Sequence, residues 1–381
     1  MNRKAVGRIA SGHPWIFTSD ILDRGEAARG DAVVVAGPRG EPLGTAHFSD
    51  SSQISLRLLT DRVETIDQSF FRRRIAQAEQ HRRRIVSDSD AYRLVHGEGD
   101  QLPGLIIDRY GPYFTVQTLD QGMDRAKPEI IQCLVELFAP EGIVERNDAS
   151  VRKLEGLPLQ SAVVSGTVPE TIAVRMNGLA LHADLVHGQK TGIFLDQREN
   201  YVAAARYAHG RALDCFTSTG GFALHIAAHC DSVEAVDSSE ASLKTAELNR
   251  SANAIANVEF READVFDLLA GYAAARREFD TVVLDPPAFA KSRRSLEGAA
   301  RGYKEINRRA LELLPAGGVL VTCSCSHHLS EAMLLEIVAA ASLDTGRKLR
   351  VLERRTQAQD HPILLTVPET MYLKCLILEV L

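Results

Sequence analysis

The amino-acid sequence predicts a protein of the α/β class whose C-terminal part is a doubly wound, mostly parallel sheet. From about residue 171, short apolar runs alternate with longer helical stretches, which is the order that builds parallel sheets. Several of these runs end in an acidic residue or a glycine-rich turn, as expected where the strands of such a sheet meet a ligand. The first 66 residues instead contain short apolar runs separated by turn-forming residues, which predicts a small β domain.

Composition and charge limit the class of protein further. The 381 residues include 44 Lys plus Arg and 50 Asp plus Glu, and 45% are hydrophobic. This ordinary globular usage excludes a disordered chain and a small disulfide scaffold. No apolar run approaches the roughly 18 residues that a membrane helix needs, and Gly7, Arg8 and Ser11 interrupt any signal-peptide stretch. We therefore expect a cytoplasmic protein without a membrane partner. The six cysteines form no CxxC pair, so no metal site is predicted.

The chain divides into three predicted segments. They are a small β domain at 1–66, a central α/β domain at 67–170 and the doubly wound domain at 171–381. In the central segment, strands are predicted at 105–108 and 113–119 and a helix at about 125–138. In the last segment, strands are predicted at 211–216, 232–236, 258–261, 281–284 and 318–323, a late helix at about 303–314, and a closing antiparallel pair at 349–353 and 372–379.

The central domain opens with an unusually basic segment. Residues 67–87 lack Gly and Pro, and their apolar residues fit one stripe, which predicts a helix with its arginines on the outer face. Between residues 72 and 84, six arginines stand against the single acid Glu79, namely Arg72, Arg73, Arg74, Arg82, Arg83 and Arg84. Such a concentrated basic face fits a nucleic-acid partner even in a chain of net charge −6. The alternative is an ordinary solvated face.

A glycine-rich turn follows the first strand of the doubly wound sheet. The segment LDCFTSTGGF (213–222) places Gly220 and Gly221 where backbone can approach a ligand, just before a helix that offers free N–H groups. Phe216 and Ser218 stand where a GxGxxG motif would have glycines, so a pyrophosphate-binding nicotinamide cofactor is disfavoured.

Three aspartates are expected at the same edge of this sheet. Asp237 ends the second strand and suits the hydroxyls of a ribose. Asp264 follows the third strand and suits an adenine amino group, and Asp285 ends the fourth strand. One acid alone is as well explained by a helix cap or a solvated loop. Three acids beside a glycine-rich turn predict binding of S-adenosylmethionine.

The fourth strand runs into LDPPAFAKS (284–292). Pro286 and Pro287 fix the backbone as the chain leaves the sheet, which leaves Asp285 and nearby carbonyls to accept from an amino group. Phe289 is placed to stack on a planar base. The alternative is a Pro-Pro loop with a core phenylalanine.

The fifth strand runs into TCSCSHH (322–328). A thiol at this edge suggests covalent catalysis on cytosine, because a thiolate that adds to C6 turns C5 into a carbon that can accept a methyl group. Cys323 and Cys325 face the same side of an extended run, so periodicity does not separate them. Cys325 lies at the strand exit, where a substrate can reach it, and is the preferred nucleophile. His327 and His328 either assist it or are simple surface histidines.

Together these motifs resemble the bacterial large-subunit (23S) ribosomal RNA cytosine-C5 methyltransferases. The likeness rests on LDPPAFAKS, TCSCSHH and ARGYKEINRRAL (300–311), and extends through HGQKTGIFLDQREN (187–200), LVHGEGDQLPGLIIDRYG (94–111) and SGHPWIF (11–17). The resemblance implies an N-terminal PUA domain, a central α/β domain and a Rossmann-like class I methyltransferase domain. It also implies S-adenosyl-L-methionine as cofactor and 23S ribosomal RNA as partner.

The resemblance assigns roles to individual residues. The nucleophile of the family's S-C-S motif falls on Cys325. The cofactor residues fall on Gln197, Arg198, Phe216, Thr217, Ser218, Gly220, Gly221, Asp237, Asp264 and Asp285. The DPP motif is expected to hold a flipped cytosine with Asp285 near its polar edge, and the PUA domain to supply RNA affinity. Homologous chains can form homodimers, but the sequence marks no interface.

Two other functions stay open. A guanine-N7 ribosomal RNA methyltransferase has a similar DPP motif but lacks the S-C-S cysteine, because N7 carries a lone pair and needs no covalent activation. A non-catalytic RNA-binding or ribosome-assembly protein is a second alternative, although such a protein has no need of a thiol at the sheet edge.

Overall fold

The chain forms two compact units in a computed structural model that describes residues 1–188, 192–290 and 295–381. The first unit consists of residues 1–176, 183–195 and 359–370, and the second of residues 177–182, 196–358 and 371–381. These two units do not test the predicted division into three domains with boundaries at residues 66 and 170, which stays a prediction. Five motif residues lie outside the described part of the chain, namely Gln189, Lys190, Thr191, Lys291 and Ser292.

The N-terminal part of the first unit is a four-stranded antiparallel sheet in the order β1-β4-β3-β2. Its elements are α1 (Arg3–Ala10), β1 (Trp15–Phe17), β2 (Ala32–Ala36), β3 (Pro42–Phe48) and β4 (Ile54–Thr60). The β character was predicted, but α1 was not. This helix is capped by Asn2 and buries only Ala5, so its apolar periodicity is too weak to stand out in the sequence.

The rest of the first unit contains a five-stranded sheet in the order β5-β6-β7-β8-β9, in which only β7 and β8 are parallel. Apolar side chains of α2 and α4 pack with those of the sheet in one core. The predicted strands and helix of this region are confirmed to within about two residues. The elements are α2 (Gln68–Ile85), β5 (Ala91–His96), β6 (Leu105–Tyr110), β7 (Tyr113–Thr118), α3 (Gln121–Arg125), α4 (Lys127–Phe138), β8 (Gly142–Asn147) and β9 (Gln160–Gly166), and β10 (Ile172–Met176) and β11 (Leu179–Ala183) follow in the chain.

The basic helix α2 is confirmed, but one of its arginines does not lie on the outer face. Ile75 and Ala78 are buried, and Arg82 continues their spacing along the helix. The Arg82 side chain is 0% exposed. Its guanidinium pairs with the Asp100 carboxylate and donates to the carbonyl oxygen of Asp360 at 2.7 Å. The predicted outer position of Arg82 is therefore wrong, because helical periodicity places it in the core, where Asp100 balances its charge.

Other arginines of α2 are exposed as predicted. The side chains of Arg72, Arg73 and Arg83 are 57%, 48% and 74% exposed. Each has an acidic neighbour within 4.0 Å, namely Glu136, Glu64 and Glu79. The outer face of α2 is thus a basic surface whose charge is partly balanced by carboxylates.

The second unit contains the predicted doubly wound sheet, with seven strands in the order β14-β13-β12-β15-β16-β18-β17. The first five strands in this order are parallel, and β18 and β17 form the predicted antiparallel pair. The elements are α5 (Arg198–Ala205), β12 (Arg211–Cys215), α6 (Gly221–Ile226), β13 (Ser232–Asp237), α7 (Glu240–Ala252), β14 (Val258–Glu262), α8 (Val265–Ala274), β15 (Thr281–Leu284), α9 (Leu296–Leu313), β16 (Val319–Ser324), α10 (Glu331–Thr345), β17 (Leu349–Arg355) and β18 (Lys374–Val380).

The strand order reverses between β12 and β15. The chain moves outward from β12 to β13 and β14 on one side, and from β15 to β16 on the other. In sheets of this kind, ligands bind at the carboxyl ends of the strands beside the reversal point. The topology therefore gathers the predicted motifs at one edge.

Helix α9 begins at Leu296 rather than near residue 303. Gly302 lies inside it, where a Cβ would come within 3.3 Å of the Phe289 ring. The glycine lets this ring approach the helix closely, so it is a packing residue and does not mark a helix boundary.

Candidate active site

The turn after β12 is held by Asp214, a residue that the sequence analysis did not single out. Its Oδ2 accepts hydrogen bonds from the Thr217 hydroxyl at 2.6 Å and from the Ala223 N–H at 3.0 Å. Burial raises the pKa of Asp214 to about 7, and the negative charges of Asp285 and Asp237 act in the same direction. Three acids thus lie near one another at this edge. The sequence did contain a signal for Asp214, because an acidic residue stands inside an otherwise apolar strand just before the glycine-rich turn.

The turn itself has left-handed backbone at three alternate residues. The φ angles are 64° at Phe216, 51° at Ser218 and 86° at Gly220. Phe216 and Ser218, which stand where glycines were expected, therefore adopt the conformation that glycine favours. Such strain in non-glycine residues persists only where the surrounding structure enforces it, and it is common at binding sites.

Position 221 has to be a glycine because the side chain of Tyr201 lies against it, a contact that the sequence did not indicate. A Cβ at this position would overlap the hydroxyl group of Tyr201 on α5. Tyr201 is buried, and its pKa is raised well above the ordinary value by burial and by the carboxylates of Asp285, Asp196 and Asp214. The tyrosine therefore marks the point where these three acids converge.

Asp237 joins the turn to the end of β13. Its Oδ2 accepts from the Ser218 N–H and its Oδ1 from the Ser239 N–H, both at 2.9 Å. A carboxylate oxygen can accept a second hydrogen bond, so this arrangement is compatible with the predicted contact to ribose hydroxyls.

Asp264 acts as a helix cap. Its Oδ1 accepts from the backbone N–H groups of Phe266 and Asp267 at 2.8 and 3.1 Å, at the start of α8. This is the alternative that the sequence left open for each acid. The contact of Asp264 with an adenine amino group stays a prediction.

The DPP segment leaves the sheet at the end of β15. Asp285 is half-buried, Pro286 is buried and Pro287 is exposed. The ring of Phe289 packs against Tyr303 at a centroid distance of 4.7 Å and against Phe266 at 5.9 Å. This packing supports the core alternative for Phe289, and its stacking on a base stays a prediction.

Gln197 and Arg198 lie at the start of α5 and are 2% and 3% exposed. The Gln197 side chain accepts a hydrogen bond from Asn200 at 2.7 Å. Its amide lies beside the thiol of Cys323, so FLDQR and the fifth strand meet at the sheet edge. The preceding residue, Asp196, accepts from the Tyr372 hydroxyl at 2.8 Å. The role of Gln197 and Arg198 in binding a cofactor stays a prediction.

The structure separates the two cysteines that periodicity left together. Cys323 is 0% exposed and lies opposite Cys375 of β18. Burial raises the pKa of the Cys323 thiol well above its ordinary value. Cys325 is only partly buried and lies just beyond the end of β16. A thiol that is buried and protonated is a poor nucleophile, so Cys325 is the better candidate.

The serines on either side of Cys325 are held by one tyrosine. Ser324 donates to the Tyr303 hydroxyl at 2.9 Å, and the Ser326 hydroxyl lies 3.1 Å from it. Ser326 also accepts from the Ala290 N–H at 3.2 Å. Tyr303 thereby fixes the loop around Cys325 and ties it to the segment after the DPP motif. Tyr303 lies in the segment ARGYKEINRRAL (300–311). The resemblance of this segment to the family was the only sequence signal that pointed to Tyr303.

The two histidines after Cys325 are exposed. The centroid of the His327 ring lies 5.5 Å from that of Tyr372, and loss of solvation lowers the pKa of His327. Assistance of Cys325 by His327 or His328 stays a prediction. No group of three or more His, Cys, Asp or Glu side chains in the described residues is arranged to hold a metal ion, and no described helix has the length and hydrophobicity of a bilayer-spanning segment.

The fold and the site define a class of protein. The family model described as S-adenosylmethionine-dependent methyltransferase matches residues 158–377, and one described as PUA-like domain matches residues 1–61. The doubly wound sheet, its glycine-rich turn and the acids at its edge are therefore those of an S-adenosylmethionine-dependent methyltransferase. The chain belongs to this family. Its identity of 41–42% to relatives over at least 95% of its length places it in the group of ribosomal RNA large subunit methyltransferase I proteins.

That group is defined by close relatives over nearly the whole chain. The protein of this name from Shewanella amazonensis is 42% identical over 377 residues, which cover 97% of this chain and 95% of the relative. Its counterpart from Klebsiella pneumoniae is 41% identical over 371 residues, which cover 95% and 93%.

Solved structures show the same fold. A structure described as a SAM-dependent methyltransferase from Streptococcus mutans has a TM-score of 0.84 at 20% identity and covers 99% of this chain and 98% of its own. A methyltransferase crystallised with SAH has a TM-score of 0.86 at 21% identity and covers 100% and 98%.

The residues at the sheet edge fit the cofactor of this family. Within the described residues, the Oγ of Ser218 is buried without a hydrogen-bond partner, and the Nε2 of Gln197 has no oxygen or nitrogen partner. Asp237 supplies a carboxylate beside Ser218. These donors and acceptors suit the polar groups of S-adenosylmethionine, and the nearby negative charge of Asp285 suits its sulfonium.

Proposed function

We propose that the protein methylates C5 of a cytosine in large-subunit (23S) ribosomal RNA, with S-adenosylmethionine as methyl donor and Cys325 as covalent nucleophile. The observation that carries the proposal is the partly buried thiol of Cys325 at the carboxyl edge of the sheet. Relatives that match over at least 95% of this chain are named as large-subunit ribosomal RNA methyltransferases. Such a substrate is consistent with a cytoplasmic protein.

The proposed chemistry accounts for the thiol. When bound, S-adenosylmethionine supplies an electrophilic methyl group and leaves as SAH. The Cys325 thiolate forms a bond to C6, and the electron pair of the C5–C6 double bond moves to C5. C5 then takes the methyl group. A general base removes the C5 proton, whose electron pair restores the double bond while the C6–S bond breaks and returns the thiolate.

The DPP segment is the proposed holder of the target base. C5 and C6 are inaccessible to a thiol within a stacked helix, so the cytosine has to leave the stack. Asp285 at the end of β15 offers a carboxylate to its exocyclic amino group, and Pro286 and Pro287 fix the backbone beside it. Tyr303 links this segment to the Cys325 loop through Ser326, which keeps the two halves of the site in register.

RNA affinity is assigned to the first unit. The PUA-like domain and the exposed arginines of α2, namely Arg72, Arg73 and Arg83, would contact phosphates and shape rather than base edges. Arg82 is excluded from this role because it is buried with Asp100. The possession of a PUA-like domain by the chain supports an RNA substrate.

The test is a nucleoside analysis. Unmodified 23S ribosomal RNA is incubated with the full chain and labelled S-adenosylmethionine, digested, and examined by mass spectrometry. Label in 5-methylcytidine is the expected result. Label in a methylguanosine would contradict the proposal and make Cys325 a structural residue. Absence of label on naked RNA and on assembled large subunits, with cofactor binding intact, would support the non-catalytic alternative.

A further inference from the structure

Lys374 is a buried cation next to the S-C-S motif. It is 3% exposed and pairs in register with Ser324 across β18 and β16. Its Nζ donates to the carbonyl oxygens of Ser326 and Tyr372, both at 2.7 Å. In the described part of the chain, these neutral carbonyls are its hydrogen-bond partners. A buried ammonium is costly unless an anion compensates it, so its presence here calls for an explanation.

The thiol of Cys325 lies within the electrostatic reach of Lys374. Burial lowers the pKa of Lys374 to about 8, and a Cys325 thiolate acts in the opposite direction. Lys374 in turn acts on His327, whose pKa is lowered by burial first and then by this lysine and His328. Tyr303 of α9 also lies within the electrostatic reach of Cys325.

Asp285 at the end of β15 completes the surroundings and acts on the buried Cys323. Among the described residues, the titratable groups near the S-C-S motif thus include Tyr303, the two exposed histidines, Asp285 through its effect on Cys323, and Lys374. Lys374 carries an ammonium group that hydrogen-bonds the backbone of this loop directly, at the Ser326 carbonyl.

We propose that Lys374 is a positioning residue for the nucleophile, whose ammonium group holds the Ser326 carbonyl and stabilises the thiolate form of Cys325. The inference rests on the proposed function, in which Cys325 attacks C6. A positive charge within about 4–6 Å lowers the pKa of an acidic group by about 1–3 units, and the thiolate is the reactive species. Within the described residues the ammonium hydrogen-bonds neutral carbonyls, and the Cys325 thiolate would supply the anion that compensates its charge.

The experiment measures how alkylation of Cys325 by iodoacetamide depends on pH. The full chain is used without RNA or cofactor, and the Cys325 peptide is quantified by mass spectrometry. Three substitutions are compared with the unchanged protein. Lys374→Met keeps the aliphatic stem, Lys374→Gln keeps a hydrogen-bond donor without charge, and Lys374→Arg keeps the charge.

The neutral substitutions are expected to raise the midpoint of the Cys325 profile by at least about one unit, which slows alkylation at neutral pH roughly tenfold. Lys374→Arg should keep the midpoint close to that of the unchanged protein. Cys230 is an internal control in the same unit, a partly buried thiol whose pKa burial raises to about 11. Its profile should be the same in all four proteins.

An unchanged Cys325 midpoint in Lys374→Gln would overturn the proposal, because a hydrogen bond rather than charge would then suffice. Binding of SAH verifies that each variant is folded, and if Lys374→Met does not fold, the comparison of Gln with Arg decides. Because alkylation needs neither RNA nor cofactor, failure of RNA methylation in the unchanged protein contradicts the proposed function and leaves this result standing.

Discussion

Cys323 and Cys325 are separated by one serine but differ in burial and in the charged groups near them. Cys323 points into the core opposite Cys375, whereas Cys325 lies beyond the last residue of β16, next to Lys374. Strand parity puts both on one face, and only the end of the strand at Ser324 releases Cys325 from that pattern. The reactivity of each thiol follows from its burial and from the charges near it.

Substitution of each cysteine by serine tests this difference. Cys325→Ser should abolish methylation, a loss of at least about a thousandfold, because a hydroxyl cannot replace the thiolate, while SAH binding measured by calorimetry stays intact. Cys323→Ser is the matched control and should keep activity within about threefold. An active Cys325→Ser protein together with an inactive Cys323→Ser protein would reverse the assignment.

Asp214 makes a pH-dependent contribution to stability. Its pKa is about 7 in the folded protein against 3.8 for an ordinary aspartate, so the folded state holds the proton more tightly than the unfolded chain. The contribution to the free energy of unfolding is therefore complete below about pH 4 and is lost as the pH rises through about 7. Asp214→Asn keeps an acceptor for Thr217 and Ala223 but cannot titrate.

The expected result is that the free energy of unfolding falls less between pH 5 and pH 7 in Asp214→Asn than in the unchanged protein. Urea unfolding at the two pH values measures this difference. The same fall in both proteins would mean that Asp214 is ionised throughout the range.

At the scale of an element, α2 shows how one helix divides its arginines between two tasks. Arg82 shares the buried face with Ile75 and Ala78, while Arg72, Arg73 and Arg83 project outward. A buried arginine whose partner is a carboxylate is costly to remove, since the acid is then left uncompensated. An exposed arginine with an acidic neighbour contributes little to stability.

Substitution by glutamine separates the two tasks. Arg82→Gln should lower the free energy of unfolding by about 3–5 kcal/mol, because Asp100 stays buried without its partner. The triple substitution of Arg72, Arg73 and Arg83 should leave the urea midpoint nearly unchanged but weaken RNA binding and flatten its dependence on salt. If the salt slope of the triple variant equals that of the unchanged protein, the outer face is merely solvated.

At the scale of the whole molecule, the cofactor residues belong to the second unit and α2 to the first. The turn at 216–221, Asp237 and Asp285 follow three different strands, and the sheet order brings these strand ends to one edge. Binding at that edge should stabilise the elements that supply it.

Hydrogen exchange with and without saturating SAH measures this effect. Backbone amides of the turn 216–221 and of β13 should exchange at least about tenfold more slowly with SAH, because the ligand binds only when they are folded. The amides of α2 serve as the control and should be unaffected. Protection confined to α2 would place the cofactor elsewhere.

Much of the fold was predictable because it depends on local patterns. Alternation of apolar runs and helical stretches predicted the doubly wound sheet, and strand ends marked Asp237 and Asp285 before any contact was known. The helix α1, the early start of α9 and the burial of Arg82 were not predicted. The apolar periodicity of α1 is weak because the helix buries only Ala5, and Arg82 is buried because its charge is balanced by Asp100, a partner that the helix pattern does not show. Gly302 lies inside α9 because the Phe289 ring packs closely against it.

The sequence by itself predicted the class of fold, the edge of the sheet that binds the cofactor, and two candidate cysteines of which Cys325 was preferred. These features depend on periodicity and on strand ends, which are visible in residues close together in the chain. The tertiary structure showed that Cys323 is buried and Cys325 only partly so, in keeping with the predicted strand exit. Only the tertiary structure brought Lys374, Tyr303 and Asp214 to their places. Lys374 lies 48 positions after Ser326 in the chain and reaches its carbonyl oxygen through the antiparallel pairing of β18 with β16. A contact made by strand pairing over such a distance leaves no local pattern, because it depends on the register of the folded sheet.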